Sequence, residues 1–107
     1  MASSSCKVVS YQRPGRLTPP QAGGLRAGAV ILKPGGIMDW HSTDRREELI
    51  VVIEGGVVLE LQSMAGRRRI MRLSAGYSAF LPSQTPHRVV NRSRTTARYL
   101  YITAPVT

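Results

Sequence analysis

Residues 35–55 of the chain read GGIMDWHSTDRREELIVVIEG, and residues 76–91 read GYSAFLPSQTPHRVVN. These two stretches contain both histidines of the sequence, His41 and His87, each where a predicted strand meets a turn. Glu48 opens the apolar strand that follows His41. Because loops join strand ends at the same end of an antiparallel barrel, we expect these three side chains to converge at one mouth.

Outside these stretches, short β-branched and apolar runs alternate with Gly and Pro turns. No window keeps a helical period of 3.6 residues that is free of Gly and Pro. The runs predict strands at residues 7–11, 25–33, 37–41, 48–54, 57–62, 68–73, 78–82, 86–92 and 96–104. Eight or nine short strands in 107 residues predict an all-β sandwich or barrel, for which a jelly roll is the economical closure.

The length and the cysteine content bound the organisation of the chain. With 107 residues it holds one domain, which we place at residues 25–107 after an N-terminal arm with a short strand, residues 1–24. The single cysteine, Cys6, excludes an internal disulfide framework and a thiolate zinc site, and it favours a reducing compartment. No segment approaches the roughly 20 apolar residues of a membrane span. We therefore expect a cytoplasmic protein.

The chain is strongly basic, with a formal net charge of +9. The densest run of arginines is Arg67, Arg68, Arg69 and Arg72 in a predicted hairpin. One interpretation is a phosphate or nucleic-acid patch, and the other is an edge strand kept soluble by charge. We favour the edge strand and expect no nucleic-acid partner, because no aromatic interleaving or nucleic-acid signature accompanies the arginines.

The three converging side chains form a set of metal ligands. Two imidazoles and one carboxylate suit Fe(II), Mn(II), Ni(II) or Zn(II) and leave positions open for substrate or water. The alternative is a metal-free barrel in which His41 and His87 hydrogen bond to each other, to Glu48 or to water. Strand alternation sends Glu47 to the face opposite Glu48, and a regular strand places Asp39 where its side chain would orient the His41 ring.

The spacing of the two stretches resembles the two conserved motifs of the cupin family. The first stretch has the pattern G, five residues, H, one, T, four, E, six, G. The second has G, five, P, one, Q, two, H, three, N, and it follows 20 residues later. All spacings of the family motifs are met. Two residue types differ, because Thr43 stands where the family has a second histidine and Gln84 where it has a glycine.

The resemblance implies a small jelly-roll barrel, the cupin double-stranded β-helix, with a metal held inside it by His41, Glu48 and His87. Thr43 costs the site one metal bond, because a neutral hydroxyl is a far poorer ligand than imidazole. We expect Gln84 to affect only the conformation of its loop. Small barrels of this family commonly pair, and the arm and the two-sided apolar strands need covering, so we expect a homodimer.

Strand alternation and topology also indicate the residues that line a pocket around the polar trio. Ile50 and Val52 share a face with Glu48, and Val89 shares one with His87. The full set of expected lining residues is Trp40, Thr43, Ile50, Val52, Phe80, Val89, Tyr99 and Tyr101. An apolar cavity with a few convergent polar groups suits a small organic ligand.

Three functions follow from this reasoning. The first is a metal-dependent enzyme with dioxygenase-like chemistry on a small, partly apolar molecule. The second is a non-catalytic module that binds or senses a small molecule, which the loss of a ligand at Thr43 favours. The third is a metal-free sugar epimerase or isomerase that uses a His and a Tyr, which leaves Glu48 unexplained.

Overall fold

The computed structural model describes residues 6–63 and 65–107, and over these residues it contains nine β-strands and no helix. The strands are β1 (Gly15–Arg16), β2 (Arg26–Leu32), β3 (Ile37–Ser42), β4 (Arg46–Glu54), β5 (Gly56–Gln62), β6 (Arg68–Ser74), β7 (Ser78–Leu81), β8 (Pro86–Val90) and β9 (Ala97–Pro105). Eight of the nine predicted strands are present, with ends shifted by at most two residues. Residues 1–5 of the predicted arm lie outside the described residues.

The strands form two antiparallel sheets, with the orders β1-β2-β9-β4-β7 and β3-β8-β5-β6. The predicted all-β jelly-roll fold is confirmed. Among the described residues there is no helix of the length and apolarity that a bilayer crossing requires.

The core fills the space between the two sheets. Because side chains alternate along a strand, every second residue of each strand faces this space. The most buried apolar members are Ile50, Val52, Val57, Leu59, Leu81, Val89 and Ala97. This packed floor supports the polar residues at one end of the barrel.

The strand predicted at residues 7–11 is not formed. Val8 and Val9 are exposed, and residues 6–10 have no regular structure. The arm instead pairs with the edge of β2 through Gly15–Arg16, where Gly15 lies opposite Ala29. An edge strand needs a partner for its backbone groups, and the chain reaches that edge only after Pro14.

The arginine-rich strand β6 lies at the edge of its sheet, next to β5 alone. Arg68 and Arg88 place their guanidinium carbons 5.4 Å from the centroid of the Trp40 ring on the outer face. Glu60, buried on the same face, accepts hydrogen bonds from Arg88 and Arg92 at 3.0 Å. These contacts fit the interpretation of this segment as a charged edge strand.

Candidate metal and ligand site

His41, Glu48 and His87 meet at one end of the barrel. His41 on β3 lies directly opposite His87 on β8, and their ring centroids are 4.2 Å apart. Glu48 faces them from β4 of the other sheet. One ligand atom from each of the three residues lies within 4.8 Å of the other two. The topology therefore brings together the three side chains that the sequence pattern singled out.

A β-bulge turns His41 into the barrel. Met38 pairs with Val89 and His41 pairs with His87, so residues 39 and 40 together stand opposite one residue of β8. The extra residue lets both Met38 and His41 line the cavity, which a regular strand would prevent. The expectation that Asp39 shares the face of His41 is therefore wrong, because it assumed a regular strand.

Backbone carbonyls hold both imidazole rings in the same manner. His41 Nδ1 lies 2.8 Å from the carbonyl oxygen of Asp39, and His87 Nδ1 lies 2.9 Å from that of Thr85. With the proton on Nδ1, each ring donates to its carbonyl, and the Nε2 lone pair is left for a ligand. Asp39 thus orients His41 through its main chain, while its carboxylate accepts a hydrogen bond from the Trp40 amide.

His87 Nε2 is buried and has no hydrogen-bond partner among the described residues. Glu48 Oε1 lies 3.4 Å from it, within ion-pair range, but the geometry is not that of a hydrogen bond. Burial alone would lower the pKa of His87, but the Glu48 carboxylate and the Thr85 carbonyl outweigh it and raise the pKa above its ordinary value. Two ligands at roughly 2.1 Å from one ion stand about 3.0–3.4 Å apart. The 3.4 Å between His87 Nε2, which has no hydrogen-bond partner among the described residues, and the buried Glu48 carboxylate therefore fits a divalent metal bound by both.

Thr43 ties together the two loops that flank the ligands. Its buried hydroxyl donates to the Pro82 carbonyl at 2.8 Å and accepts from the Thr85 amide at 3.0 Å. The hydroxyl is thus engaged with the backbone. Thr43, the residue that departs from the family pattern, therefore helps to fix the conformation of these two loops. Three protein ligands, His41, Glu48 and His87, remain for an ion.

Gln84 occupies a backbone conformation that favours glycine. Its φ is 60°, and its backbone amide donates to the carbonyl of Asp44 at 2.8 Å. Asp44 also has a positive φ, of 53°. A left-handed residue at this position explains why the family pattern has glycine there. The expectation that this departure concerns loop conformation agrees with the geometry.

A cavity of about 370 Å³ opens beside His41 and Glu48, and the buried His87 lies behind its wall. The residues that line it are Arg26, Val30, Met38, His41, Ser42, Thr43, Arg46, Glu48, Tyr99, Tyr101 and Thr103. Of the expected lining residues, Thr43, Tyr99 and Tyr101 are on its wall. Ile50, Val52 and Val89 are not, and they lie in the packed core instead.

Trp40 and Phe80 do not line the cavity, and both expectations are corrected. Trp40 lies on the outer face of its sheet, next to two arginines, because its neighbour His41 faces the cavity. Phe80 is 60% exposed, because Ala79 and Leu81 on either side of it point into the barrel. Strand alternation leaves the outer face for Phe80, whatever its hydrophobicity.

Burial keeps the phenol of Tyr99 protonated. Burial, together with the nearby Glu48 carboxylate and Tyr101, raises the pKa of Tyr99 far above its ordinary value. Tyr101 lies beside Gly28 of β2, where a Cβ atom would stand 2.4 Å from the Tyr101 ring and hydroxyl. Gly28 thus makes room for the ring that closes this side of the cavity.

Sequence reasoning missed the two arginines of the cavity, Arg26 and Arg46. Arg46 lies two residues before Glu48 on the same strand, so alternation alone puts both on the inner face. Thr103 of β9 pairs with Arg26 on one side and with Glu48 on the other. The three residues therefore lie at the same level of the sheet. Arg46 was missed because the predicted strand began at Glu48, two residues after the start of β4, whereas Arg26 required the strand register.

Comparisons with known proteins agree with this geometry. The family model for the cupin domain matches residues 28–103. No curated protein matches the chain. Among solved structures, the protein TT1209 from Thermus thermophilus is 25% identical, with a TM-score of 0.72 over 91% of this chain and 90% of that one.

Two further solved structures share the fold. A Cupin 2 conserved barrel domain protein from Salinispora arenicola is 23% identical, with a TM-score of 0.71 over 88% of this chain and 76% of that one. An oxalate oxidase is 20% identical, with a TM-score of 0.72 over 77% of this chain. The chain covers only 42% of the oxalate oxidase chain.

Proposed function

Because the chain belongs to the cupin domain family, we propose that it binds a divalent transition metal through His41, Glu48 and His87, with a small organic molecule in the cavity beside it. One observation carries this proposal. The buried His87 Nε2 has no hydrogen-bond partner among the described residues, and ligand atoms of His41 and Glu48 lie within 4.8 Å. Buried polar atoms are normally satisfied, so an unpaired one in such a set points to a bound ion.

The finer proposal is a dioxygenase-like reaction. Two histidines and one carboxylate are the ligand set of non-haem Fe(II) oxygenases, and Mn(II), Ni(II) and Zn(II) suit the same donors. A bound ion would supply Lewis acidity and, as Fe(II), chemistry with oxygen. The Asp39 and Thr85 carbonyls fix the two rings, and the protonated phenol of Tyr99 on the cavity wall can donate a hydrogen bond to the bound molecule.

The test is metal content by mass spectrometry, first on the purified chain and then after metal removal and reloading with Fe(II), Mn(II), Ni(II) or Zn(II). Glu48→Gln and His87→Ala should lose at least tenfold in metal affinity, since each removes a ligand. Glu47→Gln is the matched control, because this exposed neighbour removes the same charge outside the cavity. Failure of the wild-type chain to take up any of the four ions would contradict the proposal.

A second candidate function is a module that binds or senses a small molecule without turnover. The Thr43 hydroxyl favours it, because its two backbone contacts withhold one ligand position of the family pattern from the ion. Thermal stabilisation by a ligand without product formation, in the metal-loaded protein, would favour this function over catalysis. A metal-free epimerase or isomerase ranks third, because it gives the Glu48 carboxylate no role.

We also propose a homodimer formed by the outer face of the larger sheet. Phe80, Leu49 and Ile102 stand in one row across β7, β4 and β9. Phe80 and Leu49 of this row are exposed, and a two-fold copy packed on the same face would cover them. Light scattering should give twice the chain mass for the wild type.

Phe80→Glu should shift this assembly to monomer. Ile70→Glu is the control, because it adds the same charge at an exposed apolar position of the other sheet. A monomeric wild type at micromolar concentration would contradict the dimer.

For the arginine cluster we propose a role in keeping the β6 edge soluble, without a nucleic-acid partner. Retention of duplex DNA or RNA by the chain at physiological salt, in a mobility-shift assay, would contradict this. We propose a cytoplasmic location, which the single cysteine favours. Fractionation of cells that express the full chain tests the location.

A further inference from the structure

Two arginines line the cavity that His41 and Glu48 also line. Arg26 begins β2 and Arg46 begins β4, and both line the cavity. On their strands they occupy the same inner face as Gly28 and Glu48. The cavity wall therefore carries one imidazole, one carboxylate and two guanidinium groups.

Arg46 is held in place by neutral groups. Its Nε donates to the Thr103 hydroxyl at 2.8 Å, and its Nη2 donates to the Thr103 carbonyl at 3.1 Å and to the Gly24 carbonyl. These acceptors fix the direction of the guanidinium without neutralising its charge. Nη1 makes none of these bonds, so its two N–H groups stay available as donors.

The charge of the cavity is not balanced by protein acids. Arg26 forms no ion pair with any described residue. Glu48 is the one acid on the cavity wall, and its carboxylate faces His87. Two guanidinium charges thus share this cavity with a single carboxylate, which leaves an excess of positive charge.

We propose that the small molecule of this cavity is an organic acid whose oxyanion group is bound by Arg26 and Arg46. This inference rests on the proposed ligand site and names the ligand class. A planar guanidinium fork matches the oxygens of a carboxylate or phosphate group. Val30, Met38, Tyr99 and Tyr101 line the same cavity and would contact the apolar part of such an acid.

The probes for the test are 4-fluorobenzoate, 4-fluorophenyl phosphate and the neutral 4-fluorobenzamide. Fluorine NMR titrations follow their binding to the full chain, both metal-free and loaded with Zn(II). We expect at least one of the two acids to bind roughly tenfold or more tightly than the amide, because a charged hydrogen bond contributes that much. The comparison of the two acids separates carboxylate from phosphate recognition.

Arg26→Gln should weaken binding of the preferred acid roughly tenfold and leave the amide unchanged. Arg46→Lys keeps the charge but loses the two Nη1 donors and the contacts that orient them, and it should weaken binding of the acid as well. Arg94→Gln is the control, because Arg94 is exposed, lies outside the cavity wall and carries the same charge. If Arg26→Gln and Arg94→Gln bind the acids equally, or if the amide binds as tightly as both acids, the inference is overturned.

Metal content is measured on the same samples to separate the two proposals. Zn(II) uptake without any preference for an acid would overturn the oxyanion site and leave the metal site standing. If the chain takes up no metal but still prefers an acid in a way that depends on Arg26, the metal site is overturned and the oxyanion site is left standing.

Discussion

Replacing Thr43 by valine should destabilise the barrel and loosen the candidate metal site together. The Thr43 side chain is 5% exposed, and its hydroxyl bridges the Pro82 carbonyl and the Thr85 amide. Valine has nearly the same shape but can neither donate nor accept. The substitution therefore removes the bridge while it preserves the packing.

The size of the effect follows from the two hydrogen bonds. Each contributes about 1 kcal/mol net, and an unpaired buried polar group costs roughly 1–3 kcal/mol. We expect Thr43→Val to lose about 2 kcal/mol in the free energy of unfolding. In a domain of this size, that loss lowers Tm by about 8–16 °C.

Equilibrium unfolding in urea measures this loss, and Thr96→Val is the matched control. Thr96 is half-buried, and its hydroxyl makes no hydrogen bond among the described residues. Thr43→Ser keeps the hydroxyl and should retain most of the stability. If Thr43→Val were within about 0.5 kcal/mol of the wild type, a value typical of neutral surface changes, the hydroxyl bridge would have no structural role.

Two other substitutions test separate parts of the structure. Glu60 has a pKa lowered mainly by its hydrogen bond from Arg88, so its contribution to stability is present above the ordinary carboxyl pKa and is lost as pH falls through the lowered one. Glu60→Gln should therefore reduce the loss of unfolding free energy between neutral and acidic pH, and an unchanged pH profile would contradict this. Gly28→Ala should displace the Tyr101 ring and weaken binding of small molecules in the cavity at nearly unchanged stability. Gly23→Ala, with open space at its Cβ, should bind like the wild type, and equal binding by the two variants would refute the role of Gly28.

Most strands and the convergence of the trio were predictable, because both depend on short-range patterns. Alternation and turn residues determine the strands, and motif spacing puts His41, Glu48 and His87 at one end of the barrel. The β-bulge was not predictable, since one extra residue in a strand leaves no mark in composition. It put Met38, and not Asp39, on the inner face with His41. The errors at Trp40 and Phe80 had a different cause, because each aromatic side chain was assumed to be internal against the alternation of its own strand.

The charges of the site make metal and acid binding depend on each other. A divalent ion held by Glu48 as the sole carboxylate keeps positive charge, and Arg26 and Arg46 face the same cavity. These charges repel one another until an anion enters, so an organic acid should tighten metal binding. By thermodynamic linkage, the ion must then tighten acid binding by the same factor.

This linkage is measured by titrating Zn(II) with and without saturating 4-fluorobenzoate, and then titrating the acid with and without Zn(II). In each titration, the affinity with the second ligand present divided by the affinity without it should exceed one, and the two ratios should agree. In Arg26→Gln both should be closer to one, because one of the repelling charges is gone. Ratios below one would mean that the acid and the ion compete for the same ligands, and the cavity would then hold one or the other.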